Sequence, residues 1–204
     1  MIVQDFLASA SALMTENRDR LIDMDSVVGD GDLGLTMSDG FKAAYESIKE
    51  SDEQDVGKLF YTAGKAMSVA VPSTMGTLMA SGLMQVGKTF KGRTEVQTTE
   101  YAALFQAYFD GVSARGKAKV GEKTFLDGLF PAISAMQEAI EAGMSAAQVA
   151  QAASDAAQKG FEATQGMIAV HGRAATRGEA SRQLLDPGAA VAALLMKAFA
   201  QSVS

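Results

Sequence analysis

Apolar residues along the chain recur mostly at the three- and four-residue spacing of amphipathic helices, and they are chiefly alanine, leucine and methionine. Runs of β-branched residues are scarce, so no pair of strands is predicted. The pattern predicts helices over residues 6–22, 35–50, 55–69, 76–89, 98–115, 126–142 and 145–164. A last helix follows Asp186, a predicted N-cap, with Pro187 as its first residue. We therefore predict an all-α, single-domain bundle of about eight helices spanning residues 1–204.

Composition excludes several classes of function. Hydrophobic residues make up 48% and charged residues 21% of the 204 residues, which is typical of a globular chain. The net charge of -6 argues against a nucleic-acid partner, and the lack of cysteine excludes disulfides and thiolate metal sites. The N-terminal residues lack the basic leader of a signal peptide, and no stretch reaches the roughly 20 apolar residues of a membrane span. We expect a soluble cytoplasmic protein with no membrane partner.

Candidate chemistry is concentrated in residues 23–37, DMDSVVGDGDLGLTM, which hold Asp25, Asp30 and Asp32 but no lysine or arginine. Two carboxylates about 5 Å apart repel by about 3 kcal/mol at an effective dielectric constant near 20. A divalent cation between them turns this net repulsion into a net attraction. Carboxylate oxygens are preferred ligands of Mg²⁺, which keeps other positions for water or phosphate. The interspersed glycines, with φ > 0, and the next helix start would bring backbone amides to phosphate oxygens. The stretch therefore predicts a magnesium and phosphate site.

Two other interpretations of this loop were considered. A solvated turn stays open on these residues alone, because aspartate and glycine are common in turns. A calcium EF-hand is excluded, because Gly34 and Phe41 stand at the fifth and twelfth positions counted from Asp30, where ligands are required.

Residues 82–89, GLMQVGKT, match the phosphate-loop pattern G-x-x-x-x-G-K-[ST]. That motif requires a buried strand before it, whereas the preceding residues are helix-like. We predict instead that Lys88 and Thr89 lie near a helix C-terminus, where a cation is favourable.

Four motifs, in order, resemble the nucleotide-binding L subunit of dihydroxyacetone kinase, and the resemblance runs from residue 1 to about residue 200. The first is the aspartate loop itself, D-x-x-x-x-G-D-x-D-x-G. The others are MGTL at 75–78, GEKTFLDGLFPA at 121–132, and the pair GRAA at 172–175 with DPGA at 186–189.

This resemblance implies a barrel of eight antiparallel helices with the nucleotide at one end. It implies that Asp25, Asp30 and Asp32 hold two Mg²⁺ ions on the phosphates of ADP or ATP. The residues that it implies for nucleotide binding are Leu33, Gly34, Leu35, Thr36, Thr74, Met75, Gly76, Gly121, Thr124, Arg173, Asp186 and Gly188. It assigns no catalytic residue to this chain.

The resemblance also implies a kinase of two components. A separate K subunit would hold dihydroxyacetone or another ketose through a histidine of that subunit, and this chain would bring the phosphoryl donor. The donor is either ATP or a bound ADP that a phosphotransferase-system protein rephosphorylates; the sequence leaves that choice, the ketose and self-association open. The alternatives are a non-catalytic metal- and nucleotide-binding regulator that contacts a protein partner, and a plain helical scaffold.

Two single positions and one loop depart from the family pattern. Leu33 stands where a histidine is usual, and Ala180 stands where an arginine is usual. Pro72, Ser73 and Met75 replace most of a G-G-x-S loop. These departures suggest a divergent paralogue that serves a related ketose. His171, the only histidine, raises the alternative of a phosphocarrier, although a histidine at a helix end is more often structural.

Overall fold

The computed structural model describes residues 1–203, and all regular structure within them is helical. Two short 3₁₀ segments, Thr98–Glu100 and Arg173–Gln183, accompany the α-helices. The nine α-helices of the described residues are α1 (Val3–Glu16), α2 (Arg18–Val28), α3 (Leu33–Glu46), α4 (Val56–Ala70), α5 (Thr74–Thr89), α6 (Tyr101–Gly116), α7 (Phe125–Glu141), α8 (Ala146–Ala163) and α9 (Pro187–Val203). The prediction of an all-α, single-domain fold is confirmed.

Eight of these helices form a closed ring. Each packs against the next in the order α1, α3, α4, α5, α6, α7, α8, α9, and α9 packs back on α1. Helix α2 lies beside α3, outside the ring. Neighbouring helices run antiparallel, so α3, α5, α7 and α9 all begin at the same end of the barrel.

The middle of the barrel is filled by aromatic side chains from helices that are far apart in sequence. The ring of Phe6 lies 6.3 Å from that of Phe60, 5.9 Å from Phe105 and 6.2 Å from Phe199, measured between centroids. All four side chains are fully buried. Because this packed centre leaves no open lumen there, a ligand site has to lie at an end of the barrel.

The prediction of one helix over residues 6–22 is wrong, and this accounts for the ninth helix. Helix α1 ends just before Asn17, and α2 begins just after it. The backbone N–H and the side-chain amide of Asn17 both donate to the carbonyl of Leu13, at 3.0 and 2.9 Å. A short polar side chain that bonds to the backbone in this way competes with continuation of a helix. The second helix also continues to Val28, past the predicted end at residue 22, so Asp25 lies in the last turn of α2 and not in the loop that follows.

The phosphate-loop pattern GLMQVGKT lies entirely within α5, which confirms the prediction of a helix there. Its glycines serve packing between helices. A Cβ atom on Gly82 would lie 2.5 Å from the ring of Tyr108, and one on Gly87 would lie 2.7 Å from the carbonyl oxygen of Gly57. Lys88 is in the last turn of α5, as predicted.

Helix α9 is buried by α1, α7 and α8. As predicted, it begins at Pro187, and the Asp186 carboxylate caps it by accepting the N–H of Ala189 at 2.7 Å. Within residues 1–203 no single helix has both the length and the apolar character of a membrane span. The bent pair of Arg173–Gln183 and α9 meets that criterion on length and composition alone.

Candidate nucleotide and metal site

A cleft of about 760 Å³ opens at the end of the barrel where α3, α5, α7 and α9 begin. This volume is within the range of about 300–1,000 Å³ that is usual for small-molecule sites. Four helix N-termini on one cleft place several backbone N–H groups and partial positive charges around it. The end of the barrel is therefore suited to an anion such as a phosphate chain.

The three predicted metal ligands come together on one wall of this cleft. One carboxylate oxygen from each of Asp25, Asp30 and Asp32 lies within 4.8 Å of the other two. The Asp25 carboxylate also accepts the N–H of Leu33 at 3.3 Å, which ties the end of α2 to the start of α3. Oxygen ligands of one Mg²⁺ ion lie about 2.1 Å from it and hence about 3–4 Å from each other. The spacing and chemistry of the three carboxylates thus fit a divalent cation.

The electrostatics of the cluster favour a cation for the same reason. Partial burial, followed by the negative charges of Asp30 and Asp25, raises the pKa of Asp32, and the positive charge of Arg173 opposes this rise. A carboxylate is harder to ionise beside two others, and a bound cation removes that penalty.

An arginine balances part of this charge. The Arg173 guanidinium donates to the Asp30 carboxylate at 2.6 Å, across 143 positions of sequence. Close by, the Arg177 guanidinium donates to the carbonyl of Val27 in α2. Residues 23–37 contain no lysine or arginine, but the fold brings Arg173 to Asp30. The expectation that the aspartates have no basic neighbour is therefore wrong for the folded chain. The reason is that the segment between α8 and α9 folds over the end of α2.

The glycines of the aspartate loop have three different roles, although the sequence suggested a single one. Only Gly31 has positive φ, at 74°. A Cβ atom on Gly29 would lie 2.5 Å from Oδ1 of Asp25, so a side chain there would collide with the carboxylate. A Cβ atom on Gly34 would collide with the carbonyl of Arg18, so this glycine permits close packing of α3 on α2.

The start of α5 forms a second wall. The Ser73 hydroxyl caps the helix by accepting the N–H of Gly76 at 3.0 Å, and Thr74 and Met75 line the cleft. A Cβ atom on Gly76 would collide with the carbonyl of Val71, so this glycine packs behind the wall. The departure from the family's G-G-x-S loop therefore retains a serine as helix cap.

The start of α7 is organised by a single buried carboxylate. Asp127 accepts the N–H of Gly121 at 2.6 Å and that of Thr124 at 2.7 Å, while the Thr124 hydroxyl accepts the N–H of Leu126 at 3.2 Å. This capping box fixes the GEKT turn and holds Thr124 on the cleft.

Asp186 lies at the start of α9, between the cleft and the core. Its N–H donates to the Thr164 hydroxyl at 3.0 Å. Burial raises the pKa of Asp186 to about 7, against the lowering effect of the hydrogen bond from Ala189. The charge of Asp127 raises it further, and the charge of Lys123 lowers it.

Most residues predicted for nucleotide binding lie on the cleft. Besides the three aspartates, these are Leu33, Thr74, Met75, Thr124, Arg173, Asp186 and Gly188. The others lie outside its lining, and they are Gly34, Leu35, Thr36, Gly76 and Gly121. A direct part of any of these residues in nucleotide binding stays a prediction.

Sequence reasoning missed an apolar wall and several polar residues of the cleft. The wall is built by Leu78, Val112, Phe125 and Leu126, to none of which the sequence analysis gave a role in binding. Lys123 and His171 also line the cleft, and His171 pairs with Glu122 at 2.6 Å. The available signal for Lys123 was its position inside the GEKT motif, and His171 was singled out in the sequence only as a phosphocarrier candidate.

Known proteins similar to this chain are kinase subunits and kinases. Residues 27–201 match the family model described as the DAK2 domain. The ADP-binding subunit DhaL of the PEP-dependent dihydroxyacetone kinase of Escherichia coli (strain K12) is 27% identical over 198 residues, which cover 97% of this chain and 94% of that protein. The ADP-binding subunit DhaL of PEP-dependent dihydroxyacetone kinase 2 of Listeria innocua serovar 6a is 30% identical over 199 residues, covering 97% and 92%.

The fold likewise has a solved counterpart. The crystal structure of the dihydroxyacetone kinase from C. freundii, in complex with AMP-PNP and Mg²⁺, matches with a TM-score of 0.71 at 24% identity over 98% of this chain. This chain corresponds to 33% of that kinase chain, and the likeness is one of fold.

Proposed function

The chain belongs to the DAK2 domain family, and we propose that it is the nucleotide-carrying subunit of a two-component dihydroxyacetone kinase. It holds ADP or ATP with Mg²⁺, and it donates a phosphoryl group to a ketose bound on a separate K-type subunit. The observation that carries this proposal is the meeting of three carboxylates and four helix N-termini on one cleft. In this proposal residues 1–204 act as one nucleotide-binding domain, located in the cytoplasm.

In this proposal different parts of the cleft bind the metal ions, the phosphates and the base of the nucleotide. Asp25, Asp30 and Asp32 would hold the magnesium ions, whose chemistry there would be to neutralise charge on the transferring phosphoryl group. The amides at the starts of α3 and α5 bind phosphate oxygens between the metal site and the helix ends. The apolar wall between α5 and α7 takes the base, because an aromatic heterocycle gains most from leaving water there.

Arg173 supports transfer by charge. Its guanidinium is two-thirds exposed and bonds to Asp30, which is itself a proposed metal ligand. The Arg173 guanidinium, with its planar fork of donors, is suited to bind a phosphoryl oxygen, and with a cation bound at Asp30 it would be available for that role. Phosphoryl transfer depends mainly on such positioning and electrostatic stabilisation, so a nucleophile on this chain is not required.

The proposed partner subunit follows from the assignment of the whole cleft to nucleotide and metal, which leaves the ketose without a site on this chain. Nucleotide and metal account for the charged and apolar walls of the cleft, so the ketose is assigned to the K-type subunit. The kinase of the E. coli relative is PEP-dependent, and this favours a retained ADP that a phosphotransferase-system protein rephosphorylates, over exchange with free ATP.

Native mass spectrometry of the gently purified chain tests the proposal. After incubation with Mg²⁺ and ADP, we expect the mass of the chain plus one ADP and two magnesium ions. Asp30→Ala should lose this adduct, because the cluster then lacks one anionic ligand. Asp23→Asn is the matched control, because Asp23 is exposed on the same helix and lies outside the cluster.

A wild-type chain that binds neither magnesium nor ADP under these conditions would contradict the proposal. A scaffold with an incidental acidic loop predicts that result. A regulator predicts the adduct without activity, so phosphoryl transfer to dihydroxyacetone after addition of a K-type subunit separates the regulator from the kinase.

A further inference from the structure

Lys123 differs from every other lysine of the chain in its burial. Its side chain is only 2% exposed, whereas the remaining lysines, all within residues 1–203, are exposed. Its backbone has φ of 61°, in the left-handed region that a residue other than glycine rarely adopts. Burying an ammonium group is costly unless it is fully hydrogen-bonded, so this residue calls for an explanation.

The Lys123 ammonium uses all three of its N–H donors on backbone carbonyls. It donates to Leu184 at 2.5 Å, to Ser181 at 2.6 Å and to Met167 at 3.2 Å. All three carbonyls belong to residues 164–186, which we call the α8–α9 connection. Met167 lies near the start of this connection, and Ser181 and Leu184 lie near its end. The Lys123 side chain is therefore hydrogen-bonded to both ends of the connection.

The α8–α9 connection carries Arg173 between these anchors. Ser181 adds a second fastening, because its hydroxyl accepts the N–H of Ala169 at 3.0 Å and donates to the carbonyl of Gly178 at 2.6 Å. The part held between the anchors reaches the aspartate cluster through the bond from Arg173 to Asp30. The position of Arg173 over the metal site therefore depends on how the base of the connection is fixed.

Lys123 is also covalently joined to the cleft. The next residue, Thr124, caps α7 and lines the cleft. The left-handed turn at Lys123 sends its side chain to the connection while Thr124 stays on the cleft. One turn thus links the wall built by α7 to the segment that carries the arginine.

We propose that Lys123 is a positioning residue that fixes the α8–α9 connection and acts on phosphoryl transfer through Arg173. This inference rests on the proposed kinase function for its rate measurements. Its structural half, the fixing of the connection, is measurable without any activity.

The test compares Lys123→Met, which keeps the length and loses the donors, with Lys117→Met. Lys117 is the matched control, because it lies in the same loop, also has positive φ, at 57°, and is exposed. Hydrogen exchange should speed up in peptides from residues 166–184 of Lys123→Met and stay unchanged in α4 and α5. An exchange profile equal to that of the wild type would overturn the inference, whether or not the chain proves to be a kinase.

The rate measurement uses the chain with a K-type subunit, dihydroxyacetone and Mg²⁺-nucleotide. We expect the kcat of Lys123→Met to fall about 30-fold, since misplacing a group by an ångström loses up to about 100-fold. The affinity for Mg²⁺-ADP should change by less than about three-fold, because the metal ligands remain in place.

A double-mutant cycle with Arg173→Ala decides whether Lys123 acts through the arginine. In the Arg173→Ala background, Lys123→Met should lower kcat by less than about three-fold, because the group that it positions is gone. Full additivity of the two losses would overturn the inference. If the wild type itself transfers no phosphoryl group, the proposed function fails and hydrogen exchange alone decides the role of Lys123.

Lys123→Gln serves if Lys123→Met does not fold. Its amide retains two donors, so we expect a smaller increase in exchange and a smaller loss of kcat than for methionine. Failure of both variants to fold would also overturn the inference, because Lys123 would then be a requirement of folding.

Discussion

At the scale of single residues, the cleft works by balancing buried and clustered charges. Partial burial and the charges of Asp30 and Asp25 raise the pKa of Asp32, and the charge of Arg173 offsets part of this rise. The Lys123 ammonium is hydrogen-bonded by three backbone carbonyls. Asp186 stands apart, because it is almost fully buried and its raised pKa of about 7 falls within the physiological range.

This raised pKa gives a pH dependence with a definite sign. The native Asp186 keeps its proton up to a pKa of about 7, whereas the ordinary value is 3.8. Between these values the unfolded chain releases the proton first, so the contribution of Asp186 to the free energy of unfolding falls as pH rises. A shift of about three pKa units corresponds to about 4 kcal/mol, lost progressively from about pH 4 to pH 7.

Asp186→Asn should remove this loss while keeping an oxygen for the N–H of Ala189. The free energy of unfolding of the variant relative to the wild type should therefore increase from pH 4 to pH 8, as measured by urea denaturation. Asp39→Asn, at an exposed position of α3, is the control and should show no such trend. A difference that stays constant with pH would show that Asp186 is ionised in the native state throughout.

Residue identities in the site were predictable where they stand in a local motif. Asp25, Asp30 and Asp32 are crowded in sequence, so their electrostatic conflict is visible before folding. The bond from Arg173 to Asp30 spans 143 positions and the apolar wall draws on three helices, so both depend on tertiary packing. No local rule contains that information.

At the scale of elements, the close packing of α4 on α5 leaves no room for a side chain at Gly57. A Cβ atom on Gly57 would lie 2.5 Å from the carbonyl oxygen of Gly87 and from backbone atoms of Lys91. Backbone atoms do not rotate away as a side chain does, so the two helices would have to separate.

Gly57→Ala should therefore lower the free energy of unfolding by about 1–3 kcal/mol, the usual range for overpacking. Gly116→Ala is the matched control, because the nearest atom to its Cβ, at 3.0 Å, is the end of the flexible Leu78 side chain. Alanine gains up to about 1 kcal/mol over glycine in a helix, so this variant should be unchanged or slightly more stable. Chemical denaturation followed by circular dichroism compares them, and equal stability of the two variants would contradict the packing argument.

Element positions were predictable to within a few residues wherever a cap marks them. Asp55, Ser145 and Asp186 each cap the helix that follows, and the predicted helix beginnings lie beside them. The break at Asn17 was missed, because the apolar spacing continues across it to Leu21 and neither glycine nor proline marks it. Only the backbone bonds of its side chain reveal the end of α1.

At the scale of the whole molecule, barrel closure determines where function can lie. The contact of α9 with α1 joins residues from the two ends of the chain, and the aromatic cluster around Phe6 occupies the centre. Helical periodicity predicts that faces are buried but not which helices are neighbours. The antiparallel barrel was therefore expected from the family resemblance alone, and the order of the helices around it was not predicted.

Closure also orients the charges of the molecule. Alternate helices begin at the same end, so the positive ends of four helix dipoles face the cleft of a chain whose net charge is -6. The aspartate cluster lies among these helix ends, and a cation bound there completes a surface that accepts phosphates. Nucleotide binding should therefore depend on the metal.

Isothermal titration calorimetry of ADP binding, with Mg²⁺ and again with excess EDTA, tests this dependence most directly. The account predicts saturable binding with Mg²⁺ and a loss of affinity of at least about 100-fold in EDTA, because the phosphates would then face three uncompensated carboxylates. Equal affinity for ADP in both buffers would contradict it.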